Sequence, residues 1–343
     1  MAAAPTPRPQ ADSTAAASPA HGQAWGGQPA PPPADLGTWT ESISQAVVPL
    51  DIEATGGVEF SGQLLQATVE DVALFELATT PHIVHRTAAH ISDEDARFYK
   101  ISLQLSGQAI LEQDGRTATL RPGDLAIYDT HRPYRLHFPE PNRALVVLFP
   151  HELSDLPPDE VAKVTATAFA HDEGLGRIIN PFFRELARNM DQLAGTHAAR
   201  LVHSGLDLLM TMLSQELHRQ HGTVGDPARS LAQEVREYII ARLGDEDLTP
   251  AAIAKAHYIS LRHLYTIFSN QETTVSAWIR SRRLEHIRRD LTDPLLADQT
   301  VLAIASRWGL RDASHFSRVF KAEFGTSPTA YRRAHLPPLN EAG

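Results

Sequence analysis

Two short segments near the C-terminus carry side chains whose types and spacing suit contact with nucleic acid. In Leu261–Asn270 (LRHLYTIFSN), a helical period places Leu261, Arg262, Tyr265 and Thr266 on one face and Leu264, Ile267 and Phe268 on the other. In Ala313–Phe324 (ASHFSRVFKAEF), Ala313, Ser314, Ser317, Arg318 and Lys321 oppose Phe316, Val319 and Phe320. A guanidinium can donate two hydrogen bonds to guanine, hydroxyls can serve bases or phosphates, and an ammonium suits phosphate. Arg318 is the strongest single candidate for base or phosphate contact.

A second group lies in the first half of the chain. Arg86, Tyr99, Tyr128, Arg132, Tyr134 and His137 are candidates for lining a pocket for a small organic molecule. An arginine there would hold a carboxylate and tyrosines would sandwich a ring. Alternation along Leu125–Thr130 puts Tyr128 on one face with Ala126 and Thr130, and leaves open which face is inside. Histidines at 82, 85, 90, 131 and 137 raise the question of a metal. However, His82 and His85 fall on opposite faces of a strand, and Pro133 interrupts any strand joining His131 to His137. The reading therefore calls for no metal, no cofactor and no catalytic residue.

These side chains must be positioned by three kinds of element. Short runs rich in Val, Ile, Leu and aromatics predict strands at Gln63–Thr68, Ala73–Leu77, His82–Thr87, Tyr99–Leu105, Ala109–Gln113, Thr117–Leu120, Leu125–Asp129, Tyr134–Phe138 and Ala144–Phe149. Asp114-Gly115 between two of them is a strong hairpin signal. So many short strands predict an antiparallel barrel or jelly roll. A helical period follows, over Asp159–His171, Leu175–Leu193 and His197–His221. The last carries an apolar stripe from Leu201 to Leu217, either intrachain core or the seam of a homodimer. Gly222–Pro227 reads as a linker.

From Leu248 onward one pattern occurs twice: an alanine-rich helix, a tight turn, and a helix with basic residues. Thr249, Ser260 and Asp312 are expected caps, with Pro250 at the first helical position. Ala252, Ile253 and Ala256 are expected inward in the first copy, and Ala303, Ile304, Ala305 and Trp308 in the second. Gly309 permits the second turn. Between the copies, Val275–Leu291 predicts a helix about 26 Å long. It bears Arg280, Arg282, Arg283, Arg288 and Arg289, one or two of which are expected to touch phosphate and the rest to be solvated. Two helix-turn-helix units on one rigid spacer suit two successive major grooves.

Charge is divided to match. Arg229–Arg333 holds 16 basic against 12 acidic side chains, and the remainder 15 against 29, which together give the net −10. The basic part carries the repeat, and the acidic part is a poor partner for phosphate or anionic membrane. Cysteine is absent, which fits a reducing cytoplasm, and no apolar run reaches membrane-spanning length. The Ala/Pro-rich start has no signal-peptide pattern and is expected to be disordered to about Ala34.

Ile304–Arg333 (IASRWGLRDASHFSRVFKAEFGTSPTAYRR) resembles the C-terminal signature of the AraC/XylS family of bacterial transcription regulators, and Val275–Leu291 resembles its linker helix. The resemblance implies that Arg262, Tyr265 and Thr266 read bases in the first head and Ser314, His315 and Arg318 in the second. Together with the cap and outward positions, the candidate DNA-binding set is Ser260, Leu261, Arg262, Tyr265, Thr266, Ser314, His315, Ser317, Arg318 and Lys321. Tyr99–Tyr134 resembles the cupin-like sensor of one branch of the family. An α+β multidomain protein follows: a disordered tail at 1–35, a cupin-like antiparallel barrel at 36–150, a helical connector with a dimerisation option at 151–227, an all-α double helix-turn-helix domain at 228–335, and a short tail at 336–343. The resemblance implies a ligand-responsive activator of catabolic genes, not an enzyme, whose partners are promoter DNA, RNA polymerase and a small, often aromatic, organic effector. Its rivals are a constitutive DNA-binding protein with a barrel used only for dimerisation, and a metal-dependent cupin enzyme with an appended regulator.

Overall fold

The computed structural model describes residues 30–193, 196–221, 227–269 and 274–336. The expected disorder of the first residues lies outside them as far as residue 29. From residue 30 to Ala34 the chain is held, short of the end expected for the tail. Gln63 Nε2 donates to the Pro31 carbonyl at 2.6 Å, and Ala34 and Gly62 exchange backbone hydrogen bonds of 2.7 and 3.0 Å.

A helix absent from the sequence reading comes next, α1 (Leu36–Ala46). Asp35 caps it by accepting from Thr38 N at 2.9 Å, and Trp39 and Ile43 form its buried face. The strands are β1 (Asp51–Ala54), β2 (Gly62–Val69), β3 (Val72–Thr79), β4 (His82–Arg86), β5 (Phe98–Ser106), β6 (Ala109–Gln113), β7 (Arg116–Leu120), β8 (Leu125–Asp129), β9 (Tyr134–Phe138) and β10 (Asn142–Pro150). Every expected strand is present with ends moved by two residues at most, and β1 is additional. Among the described residues they form two five-stranded antiparallel sheets, ordered β1-β4-β9-β6-β7 and β2-β3-β10-β5-β8. The hairpin between β6 and β7 turns on Asp114 and Gly115, both left-handed at φ 55° and 73°.

The two sheets differ in what covers them. The first has one wet face, so β9 alternates buried Tyr134, Leu136 and Phe138 with half-buried Arg135 and His137. The second is covered on both faces, and all of β8 is buried. Its outer side packs against α2 (Pro158–Val164), α3 (Gly176–Arg188) and α4 (Thr196–His221), joining Ile101, Ile127 and Val147 to Val161, Ile179, Phe183 and Leu209 in one core. The expected helix Asp159–His171 stops early. Ala166 takes a left-handed backbone, and Phe169 leaves to exchange hydrogen bonds of 3.1 and 2.8 Å with Leu125 on the free edge of β8. The stripe on α4 is intrachain: Val202, Leu206, Leu209, Leu213 and Leu217 are buried in this core, and only Leu201 of the expected series is well exposed.

Most of the expected linker, 222–226, lies outside the described residues. Pro227 already starts α5 (Pro227–Ile240), followed by α6 (Pro250–Ala256), α7 (Leu261–Ser269), α8 (Val275–Thr292), α9 (Val301–Arg307), α10 (Ala313–Phe324) and α11 (Pro328–His335). Two small cores flank α8. Val235, Ile253, Leu264, Phe268 and Trp278 build one; Leu284, Ile287, Ile304, Phe316 and Phe320 build the other. No described helix is long and apolar enough to cross a membrane.

Trp39 of α1 lies flat against the backbone at Gly62, where a Cβ would stand 2.5 Å from the indole. Gly62→Ala should therefore push α1 off the sheets and destabilise the protein by about 1–3 kcal/mol, read as a lower urea midpoint. An unchanged midpoint would mean that α1 does not need this close approach.

Candidate nucleic-acid interface and buried cavity

Each helix-turn-helix unit is fixed locally by caps. Thr249 Oγ1 accepts from Ala252 N at 3.2 Å, Ser260 Oγ from His263 N at 3.1 Å, Thr300 Oγ1 from Ala303 N at 3.1 Å and Asp312 from His315 N at 2.7 Å. Ile253, Ile304 and Ala305 face inward as expected. Ala254 takes the place expected for Ala256, which is exposed; Ala252 is half-buried, Ala303 is exposed and Trp308 is half-buried. Each first helix has only two turns, so a shift of one residue changes which alanine faces the core. Both turns pass through the left-handed region, at Tyr258 (φ 54°) and Gly309 (φ 74°). For a residue with a Cβ this costs on the order of 1–2 kcal/mol.

The outer faces are open. Ser260, Leu261, Arg262, Tyr265 and Thr266 are exposed on α7 and its cap, as are Ser314, His315, Ser317, Arg318 and Lys321 on α10. Arg318 Nε donates to Ser314 O at 3.3 Å, and Thr266 Oγ1 donates to Arg262 O at 3.0 Å. α8 joins the two units as one helix of 18 residues, about 27 Å long.

The arginines of α8 depart from expectation. Arg283 is buried and donates to the carbonyls of Leu243 and Asp245 at 2.8 and 2.5 Å, with its guanidinium lying over Gly309. Arg288 is buried too, making a two-pronged pair with Glu285 (3.0 and 2.8 Å) and a 3.0 Å bond to the Tyr331 hydroxyl. It also reaches across to Asp71, at the tip of the β2–β3 hairpin, at 2.8 Å. Arg282 donates to Glu152 O at 2.7 Å and lies 3.6 Å from Asp155, and Arg289 lies 3.5 Å from Asp207 on α4. Of the five, Arg280 alone is exposed. The other four answer to protein carbonyls and carboxylates, three of them in the acidic half of the chain.

Between the two sheets lies a narrow cavity of about 60 Å³, closed on one side by Trp39 and Ile43 of α1 and by Val47 just after it. Tyr128 and Tyr134, two of the sequence candidates, line it, together with Lys100, Ser102, His82 and Asn142. The other candidates stand elsewhere. Tyr99 projects from the opposite face of β5 and stacks on His151 at 3.8 Å. Arg86 is buried but donates to Thr130 O at 2.7 Å and to Pro49 O. Arg132 pairs with Asp114 at 2.9 Å, and His137 is half-buried on the wet side of β9.

Lys100 and His82 were not anticipated. Lys100 Nζ donates to the Tyr134 hydroxyl at 2.7 Å, and among the described residues no carboxylate pairs with it. Burial, with the nearby Arg86 guanidinium adding to it, pushes its pKa down to about 7. Burial also raises the Tyr128 and Tyr134 hydroxyls and pushes His82 down to about 4, so all three are neutral near pH 7. Lys100 sits opposite Tyr128 in the β5–β8 register, a pairing that the sequence alone does not reveal. His82 and His85 point to opposite sides of β4, His82 buried and His85 half-buried.

A buried lysine without a counter-ion lowers stability while both folded and unfolded forms are protonated. That cost is relieved as pH rises from about 7 to its ordinary 10.5, because only the folded state then gives up the proton. Lys100→Met should accordingly be more stable than the parent at pH 6 by roughly 1–4 kcal/mol, with the advantage shrinking by pH 9. Denaturant unfolding at the two pH values measures this, and a pH-independent difference would contradict the burial of a titrating amine.

The family model of an AraC-binding-like domain matches residues 39–214, and that of a helix-turn-helix domain matches residues 253–334. The transcriptional activator NphR of a Rhodococcus species is 32% identical over 77% of this chain and 78% of its own length. The arabinose operon regulatory protein of Escherichia coli is 25% identical over 71% of this chain and 83% of its own. Among solved structures, the AraC-like transcriptional activator CuxR is 19% identical, with a TM-score of 0.47 over 72% of this chain and 89% of that one. Matched over half its length by the sensor model, and over most of it by an activator at 32% identity, the chain belongs to the AraC/XylS family of transcription regulators.

Proposed function

We propose that the protein is a cytoplasmic, ligand-responsive transcription activator and not an enzyme. In this reading residues 36–150 are the sensor, residues 151–227 its helical connector, and residues 228–335 the reader of promoter DNA. The observation that carries it is the grip of the acidic half on α8, the helix that spaces the two heads. Arg282, Arg288 and Arg289 each meet an acidic-half partner, so a change in the sensor bears directly on the helix that sets the heads.

The effector site is the cavity between the sheets. A small aromatic acid matches its chemistry, though at about 60 Å³ the cavity must widen to admit a ring: the ring would lie among Trp39, Tyr128, Tyr134 and Phe138, and the carboxylate would supply the counter-ion that Lys100 lacks. α1 and the loop that follows it (Val47, Leu50) are the wall that is not built from strands, so a ring enters by displacing this segment. The signal has a short way to travel. Lys100 and Tyr128 face the cavity, while their chain neighbours Tyr99 and Asp129 face outward and hold His151, by stacking at 3.8 Å and by a 3.1 Å contact to Nε2. The next residue, Glu152, accepts from Arg282. An effector shifts this linkage only as far as it binds one arrangement better than the other. An activator bound this way would present its exposed surface to RNA polymerase.

DNase footprinting on the adjoining promoter should show protection of two successive major grooves on one face; protection of a single groove would contradict the two-head reading. Arg318→Ala should weaken operator binding by about 1–3 kcal/mol and relax preference at one base pair. Lys100→Met should retain DNA binding but lose the thermal shift given by aromatic acids such as benzoate-type compounds. A retained shift would place the effector elsewhere.

A further inference from the structure

Aligning the two copies of the repeat on Ile253 and Ile304 brings Tyr258 onto Gly309. The backbones agree bond for bond. Tyr258 N donates to Lys255 O at 3.2 Å as Gly309 N does to Ser306 O at 3.1 Å, and Ile259 N donates to Ala254 O as Leu310 N does to Ala305 O, both at 3.0 Å. Both residues are left-handed. At Gly309 glycine is doubly required, because a Cβ there would also stand 2.8 Å from the Arg283 guanidinium. The first head places at this strained position a large aromatic whose side chain is buried against nothing, for Tyr258 is 98% exposed. Packing therefore gives no return for the strain, and strain retained without packing points to function.

We infer that Tyr258 is a DNA-contact residue of the first head, its hydroxyl donating to a phosphate oxygen and its ring lying along the adjoining deoxyribose. The inference rests on the DNA-binding reading above. Tyr258 stands two residues before Ser260, the cap of α7, and so at the N-terminal end of the reading helix, which in helix-turn-helix proteins enters the groove. Its neighbours Ser260, Leu261 and Arg262 are exposed on the same approach. A neutral phenol is a phosphate donor that adds hold without reading sequence. Gly309 offers no equivalent, so the contact belongs to one half of the site and adds to the asymmetry of a monomer on DNA.

The test begins with duplexes selected from a random pool by the full-length protein. Wild type, Tyr258→Gly and Tyr258→Phe are then compared on the selected duplex, on its single-base variants and in thermal unfolding. Tyr258→Gly, freed of the backbone strain, should unfold at the same temperature as wild type or higher, yet bind every duplex about 5–20-fold more weakly. Base preference should stay unchanged, as should the salt dependence, because no charge is removed. Tyr258→Phe should fall between the two. Equal affinity of Tyr258→Gly and wild type would overturn the inference, and so would an altered preference at one base pair, which would make Tyr258 a base reader. Failure of the wild type to select any duplex is a different result, and would remove the DNA-binding reading itself.

Discussion

The arrangement of the whole molecule depends on the arginines of α8. A buried guanidinium cannot shed its charge, so each one brought out of water must meet carbonyls or carboxylates. Arg283 meets the carbonyls of Leu243 and Asp245 and closes over Gly309, which binds the loop before the first head to the turn of the second. Arg288 is shared between Glu285 on its own helix, Tyr331 of α11 and Asp71 of the sensor hairpin. Removing either side of such a set strands the other, which is why buried pairs fix geometry more firmly than they add stability.

The division of charge acquires a specific meaning from these contacts. The acidic excess of the first half is not merely a surface that avoids DNA. Asp71, Asp155 and Asp207 stand where the basic spacer helix runs past. Allosteric coupling typically amounts to about 1–3 kcal/mol, which several partly screened contacts acting together can supply.

Much of the fold was legible because local signals agreed. The Asp-Gly hairpin, the alternating strands and the caps at Thr249, Ser260 and Asp312 were all readable from neighbours in the chain. α1 was not, since LGTWTESISQA is largely polar and its one large anchor, Trp39, gains meaning only from the glycine it covers at position 62. The cavity was half legible. Tyr128 and Tyr134 were chosen by chemistry, but β5 and β8 are buried on both faces, so nothing local separates Tyr99 on the outer side from Lys100 on the inner. Lysine in a barrel interior also runs against its general preference for the surface. The α8 arginines were misplaced for a similar reason: Arg282 finds its acceptor 130 residues away in sequence.

The central claim is that the acidic half holds α8 and thereby makes DNA binding answer to the cavity. Titrating operator affinity against an aromatic acid, with wild type and an Asp71→Asn/Asp155→Asn double variant side by side, tests it most directly. The double variant should bind the operator to the same extent with and without effector, while wild type responds. An undiminished effector response in the double variant would contradict it.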